Sequence, residues 1–254
     1  MARVLSVLTG LAVTLGGGVA SAASGRPCEV RYDGAMASPA LVADRTFHAR
    51  HGAVVTAHGG RVLSLPRGGG DRFLRFPGGT CAAAPCPQAI VRPLRSGGLV
   101  PDGGTGGFSF GADVRLTAEP PDRAGMNVWQ HGLAGPGHAQ WKLQVDGGRP
   151  SCRWSDGTRV VLLGAGPYRL AVGRWYRLRC ARVGAALFEL RVLDAATREP
   201  VTPPARAVAP MGPIVPLGGA TIGGKRVHAD QADASTDQFH GDLDEVFFRG
   251  ATAG

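Results

Sequence analysis

Nine consecutive residues, Phe108-Ser109-Phe110-Gly111-Ala112-Asp113-Val114-Arg115-Leu116, alternate apolar and polar or small without a fault. Phe108, Phe110, Ala112, Val114 and Leu116 fall on one face, and Ser109, Gly111, Asp113 and Arg115 on the other. A helix places apolar residues three and four apart, so a strict period of two predicts a strand with one face in a core. The same short pattern recurs along the chain. Strands are expected at Glu29–Tyr32, Arg61–Leu65, Arg72–Phe76, Gln88–Leu94, Met126–Gly132, Gln140–Asp146, Ser151–Trp154, Arg159–Leu163, Tyr168–Val172, Arg174–Cys180 and Leu187–Leu193. Residues 35 to 60 read as loop, and the Pro-rich stretch 200 to 221 as a long connection with one short strand. The 40 Gly and 19 Pro among 254 residues supply the turns that so many short strands need. The expected fold is all-β, a two-sheet antiparallel jelly-roll sandwich, in a single domain spanning residues 28–250.

The final run, Asp237 to Arg249, is mostly apolar on both faces, with one acid on each. Strict alternation puts Leu243, Glu245 and Phe247 on one side and Asp244, Val246 and Phe248 on the other. That describes an inner strand covered on both faces. A buried carboxylate such as Asp244 must then be paired, protonated or metal-bound.

Residues 1–22 read as a secretory signal peptide. Arg3 gives the positive start, Val4 to Leu15 a short apolar core, and Ala20-Ser21-Ala22 a small-residue cleavage site. No later segment is apolar enough to span a membrane, so the mature chain is expected to be secreted, without a membrane span. In an oxidising compartment the five cysteines should bridge where geometry allows. Cys152 and Cys180 sit on two expected strands, and their bridge would contribute about 3–4 kcal/mol on the chain-entropy estimate. Cys81 and Cys86 flank Ala82-Ala83-Ala84-Pro85 and can close a small loop, which leaves Cys28 over, either free or competing for one of those two. The spacing fits no zinc site.

The formal net charge is +9, and only two of the 28 basic residues, Lys142 and Lys225, are lysine. An anionic partner, such as an acidic glycan or cell-wall polymer, is one explanation. The arginines are scattered along the chain rather than clustered, which favours a coding bias toward arginine. No DNA- or RNA-binding motif is present, and nucleic acid is not an expected partner.

Motifs for catalysis are weak. Gly107-Phe108-Ser109-Phe110-Gly111 has the spacing of a nucleophile elbow, but the strand pattern runs on past Ser109, where a helix should begin. Asp242-Leu243-Asp244-Glu245 lacks the flanking glutamates that glycoside hydrolysis on one strand requires. No catalytic residue is assigned. His48, His51, His131 and His138 read as surface histidines, since a loop His-x-x-His lacks the fixed geometry of a helix.

Several stretches, taken in order, resemble laminin-G-like, concanavalin-A-like jelly rolls of secreted bacterial type. They are Asp44 through His51-Gly52, Leu74-Arg75-Phe76-Pro77-Gly78, Asn127 through Gly132, Gln140 through Gly147, Trp175-Tyr176 through Cys180, Ile222-Gly223-Gly224, and Phe239-His240-Gly241-Asp242-Leu243-Asp244-Glu245-Val246. The resemblance implies a lectin-like binding module, often with one calcium ion joining the chain ends. Asp44 and Asp244 are the candidate calcium ligands it suggests. Arg45-Thr46 stands where the family commonly has Ser-Gly after the first aspartate, and an arginine pairing with Asp244 is the structural alternative. Among the tryptophans, Trp141 and Trp175 lie beside in-facing residues and read as core, while Trp129 and Trp154 are the candidates for stacking on a sugar. Asn127, Trp129, Gln130 and His131 would line a polar ligand face. The function expected is non-catalytic binding of a carbohydrate or an extracellular or cell-wall component. A carbohydrate-active hydrolase or lyase on the same fold is the alternative.

Overall fold

The computed structural model describes residues 29–79, 81, 83–100, 106–120 and 125–250. The expected signal peptide and Cys28 lie outside the described residues. Those described form β1 (Val30–Tyr32), β2 (Met36–Ser38), β3 (Leu41–Val42), β4 (Gly52–Ala57), β5 (Leu63–Gly68), β6 (Asp71–Arg75), β7 (Gln88–Pro93), β8 (Phe108–Leu116) and β9 (Gly125–His131). They continue with β10 (Ala139–Asp146), β11 (Arg149–Asp156), β12 (Val160–Gly164), β13 (Tyr176–Val183), β14 (Leu187–Asp194), β15 (Ala205–Val208), β16 (Ala220–Ile222) and β17 (Gly241–Gly250).

One sheet runs β15-β14-β13-β8-β17-β6-β5, with β1 also on β17. The other runs β12-β11-β10-β9-β16-β7-β4-β3-β2. Every pairing between these strands is antiparallel. The two-sheet sandwich expected from alternation, with the jelly-roll architecture that the resemblance implies, is the fold observed.

The core lies between the sheets. The apolar stripe of β8 faces the aromatic residues of β10 and β11, and Phe110 sits 4.6 Å from Trp141 and 6.0 Å from Trp154 between ring centroids. Phe248 of β17 stacks on Trp141 at 5.2 Å, and Phe188 of β14 meets Trp154 at 5.1 Å. The Cys152–Cys180 disulfide joins β11 of one sheet to β13 of the other, so it ties the two layers together. Cys81 and Cys86 form the second bridge.

β17 is an inner strand, as its composition suggested. β8 pairs along one edge, and on the other edge β6 takes Asp242–Leu243 while β1 takes Val246–Phe248. Its strict alternation fails, however. The register slips between Asp244 and Phe247, where Glu245 adopts a positive φ of 48°. Two residues on β17 oppose one on β8, and such a bulge inverts the side-chain parity beyond it. Leu243 therefore shares the core with Val246 and Phe248, while Asp242, Asp244, Glu245 and Phe247 turn outward.

Two further expectations change. Val54, Val55 and Thr56 of β4 pair with β7 inside the stretch read as loop, because partly exposed residues there blur the alternation. Tyr168–Val172 is not a strand. It bridges two turns, with Leu170 buried and its N–H bonded to Gly148 O at 2.9 Å.

Candidate functional site

The middle of the second sheet carries a cavity of about 460 Å³ on its outer face, between β9, β10 and β16. Gln130, Gln140, Lys142, Thr221, Arg92 and Asp237 line it, with Gly132, Leu133 and Gly219 at its edge. Register explains the grouping, since Lys142 and Thr221 both lie directly opposite Gln130 on the flanking strands.

The amides are held in place. Asn127 Nδ2 donates to Gln130 Oε1 at 2.6 Å. Gln140 Nε2 donates to Gly132 O at 3.1 Å, and Arg153 Nη1 donates to Gln140 Oε1 at 2.6 Å. Thr221 Oγ1 is buried without a hydrogen-bond partner among the described residues. Burial lowers the Lys142 pKa, and the Asp237 carboxylate, 3.8 Å away, works against that. Leu133, which is 56% exposed, adds an apolar wall. Lys225 and Arg226 also line the cavity, so fixed amides and an unpartnered hydroxyl stand beside four cationic side chains, Arg92, Lys142, Lys225 and Arg226, and an apolar wall, a set suited to a hydroxyl-rich ligand. Asp237 is the single carboxylate among the described residues that line this cavity.

Of the residues expected to bind ligand, only Gln130 lines the cavity, with Asn127 orienting it from behind. Trp129, His131 and Trp154, expected at the ligand face, are buried instead. β9 carries a bulge at Val128, where Leu143 pairs with Trp129 but the next residue, Gln144, pairs with Asn127. Asn127 and Gln130 thereby share the outer face, and Trp129 turns into the core, 5.0 Å from Trp141. Trp154 is fully buried on β11. His131 is also buried, between Leu99 O at 3.2 Å and Gly218 O at 3.0 Å, so it is not a surface histidine. Conversely, Trp175, read as core, lies on the outer face of the first sheet, with the guanidinium groups of Arg67 and Arg115 4.3 and 4.9 Å from its ring. Ser109 lies within β8, opposite Ala181, and not at a strand-to-helix turn.

Asp44 and Asp244 are not brought into one ligand set. Asp44 Oδ1 accepts from the N–H groups of Arg31 at 2.9 Å and Thr46 at 3.0 Å. Its Oδ2 accepts from Thr46 Oγ1 and Arg50 N, both at 2.8 Å. Four protein donors thus fill its oxygens and brace the loop. Asp244 is bound by Arg67 Nη1 and by the Glu245 N–H at 2.7 Å. Burial pushes the Asp244 carboxyl up to about 6, the Arg67 bond pulling the other way. A calcium ion needs several oxygen ligands free of other donors. These residues, surrounded by N–H groups and a guanidinium, do not fit one shared ion. Among the described residues no cluster of three or more His, Cys, Asp or Glu side chains is arranged to hold a metal.

No family model and no curated protein matches the chain. Solved structures do match by shape. The receptor-binding domain of botulinum neurotoxin type G aligns over 90% of this chain and 49% of that one, with 6% identity and a TM-score of 0.54. The binding domain of botulinum neurotoxin DC in complex with rat synaptotagmin II aligns over 87% of this chain and 48% of that one, with 7% identity and a TM-score of 0.52. The LG1-3 region of the laminin alpha2 chain aligns over 63% of this chain and 29% of that one, with 19% identity and a TM-score of 0.45. The chain spans about half or less of the length of these solved chains. At such identities the neurotoxin domains show a shared jelly-roll fold.

Proposed function

We propose that this chain is a secreted, non-catalytic binding module that holds a glycan of the cell wall or extracellular matrix in the cavity over Gln130, Gln140 and Thr221. The observation that carries the reading is the buried, unpartnered Thr221 hydroxyl at the edge of a fixed amide pair. A buried hydroxyl without a partner costs stability, and a ligand hydroxyl bonded to it would recover that cost. The two disulfides are consistent with an oxidising compartment. Glycoside hydrolysis generally uses a pair of carboxylates, and among the described residues that line the cavity Asp237 is the one carboxylate.

A glycan array on the mature chain, run beside a reducing-sugar release assay, tests this. Specific binding without release, weakened by Gln130→Ala and Thr221→Val, is the expected result. Release of sugar that disappears in Asp237→Asn would replace this reading with a carbohydrate-active enzyme. No glycan response, with capture of a wall protein instead, would replace it with an adhesion role.

A further inference from the structure

Four arginines distant in sequence, Arg31, Arg177, Arg179 and Arg249, come together on the outer face of the first sheet. A cavity of about 350 Å³ there is lined by Arg31, Arg177, Arg179, Glu245, Phe247 and Arg249. We propose that this cavity is a second binding site, separate from the amide cavity, for a polyanionic chain bearing sulfate or phosphate groups.

Strand register builds the site. Arg179 on β13 lies opposite Gly111 on β8, which lies opposite Phe247 on β17, which lies opposite Arg31 on β1. Gly111 leaves room for this arrangement, since a Cβ there would come within 2.9 Å of the Phe247 ring. The guanidiniums of Arg31 and Arg177 are held by carboxylates. Arg31 Nε donates to Glu245 Oε2 at 2.8 Å and Arg31 Nη2 to Oε1 at 2.5 Å. Arg177 Nε donates to Asp113 Oδ1 at 2.6 Å and Nη2 to Oδ2 at 3.2 Å.

Arg179 is placed differently. The residue directly across from it on β14 is Arg191, a like charge. The nearby Glu189 carboxylate, which attracts Arg179 from a distance, is bound by Arg191 and Arg206, and among the described residues Arg179 forms no ion pair of its own. Like charges facing across a sheet are destabilising. Desolvation first, then repulsion from Arg249, Arg191 and Arg177, lowers the Arg179 pKa below the usual arginine value. An oxyanion seated among these groups would offset that repulsion. Planar guanidinium forks also match the oxygen geometry of sulfate and phosphate. The positive row continues past the cavity through Arg191 to Arg206, so an extended chain fits this face better than a single ion.

The test measures binding of dextran sulfate, sodium polyphosphate and neutral dextran to the mature chain at low and at physiological ionic strength. Binding of a sulfated or phosphorylated chain, weakened by salt and absent for neutral dextran, is expected. Arg179→Glu should weaken it about tenfold or more, because a local attraction becomes a repulsion. Arg179→Gln should fall between the two. Arg95→Glu makes the same change in net charge in the connection after β7 and should stay within about twofold of wild type. Glycan binding by Arg179→Glu and polyanion binding by Thr221→Val should each persist, so failure at one cavity is distinguishable from failure at the other. The proposal is overturned if neither polyanion binds, or if Arg95→Glu and Arg179→Glu weaken binding equally with unchanged thermal unfolding.

Discussion

On the outer face of the first sheet, buried carboxylates are gripped by arginine, whereas on the outer face of the second, buried amides and a hydroxyl surround an open cavity. Asp242, fully buried, takes Arg75 Nε at 2.7 Å and Arg115 Nη2 at 2.6 Å. Asp113 is bound by Arg177, and Asp244 by Arg67. Trp175 and Phe73 pack among these guanidiniums. Across the sandwich, the uncharged Gln130, Gln140 and Thr221 form the floor of the cavity, with Arg92, Lys142, Lys225, Arg226 and Asp237 also in its lining. The ionic face spends its polar groups on internal pairs and leaves an excess of arginine at one place. The amide face leaves a hydroxyl without a partner. Under the two proposals above, one sandwich would present two surfaces for different ligands, an anionic chain on the first sheet and a hydroxyl-rich glycan on the second.

The contrast depends on the core holding both layers in register, and the largest expected effect removes that support. Trp129→Ala should cost about 3–5 kcal/mol in urea unfolding, as large aromatic truncations in cores do. If Trp129 were instead a ligand contact, glycan binding would fall with stability unchanged. Next, Asp242→Ala should cost about 2 kcal/mol, because it removes the buried carboxylate that two partly exposed arginines share. That figure is set below a fully buried pair because the side chains of Arg75 and Arg115 are 41% and 25% exposed. Gln130→Ala on the other face should cost less than about 1 kcal/mol in the same assay. Equal losses from the two would erase the distinction between an ionic face and an amide face.

A pH series sharpens the comparison further. The Asp244 carboxyl, raised to about 6, holds its proton more tightly in the folded chain than in the unfolded one. The folded state then binds more protons between pH about 4 and pH about 6, so this group lowers stability as pH rises through that window. Asp244→Asn should remove that slope, so its stability relative to wild type should rise across the window by on the order of 1–2 kcal/mol. Denaturant melts from pH about 4 to pH about 7 would show it, and parallel curves would refute it. The smallest effect is at the cavity. Thr221→Val should leave stability unchanged or raise it by up to about 1 kcal/mol, since the hydroxyl it removes has no partner. A loss of stability instead would mean that the hydroxyl is satisfied within the fold.

Much of the architecture was legible in local pattern. β8 spans the same nine residues that alternate in sequence, and the outward set of β10, Lys142, Gln144 and Asp146, lies opposite buried Trp141, Leu143 and Val145. The candidate site was less legible, and two bulges account for much of the difference. An inserted residue at Val128 turns Trp129 into the core and Gln130 to the outer face, and the bulge at Glu245 turns Phe247 outward. Nothing in the residues themselves marks Val128 as inserted. The positive φ at Glu245 is likewise invisible, since glutamate carries no turn signature of the kind glycine does. Trp175 was misread because its neighbours in sequence point inward, while its ring is held outside by arginines from β5 and β8.

Periodicity, turn residues and cysteine spacing determined by themselves that this chain is a disulfide-bridged β-sandwich, because each of those signals acts over a few residues. Which side chains meet on each outer face was decided by tertiary structure. Arg31, Arg179 and Arg249 come from β1, β13 and β17, distant in sequence, and only the pairing register places them around one cavity. Register in turn depends on where a strand takes an extra residue against its neighbour. That choice is made by the packing of the whole sheet and not by the strand alone.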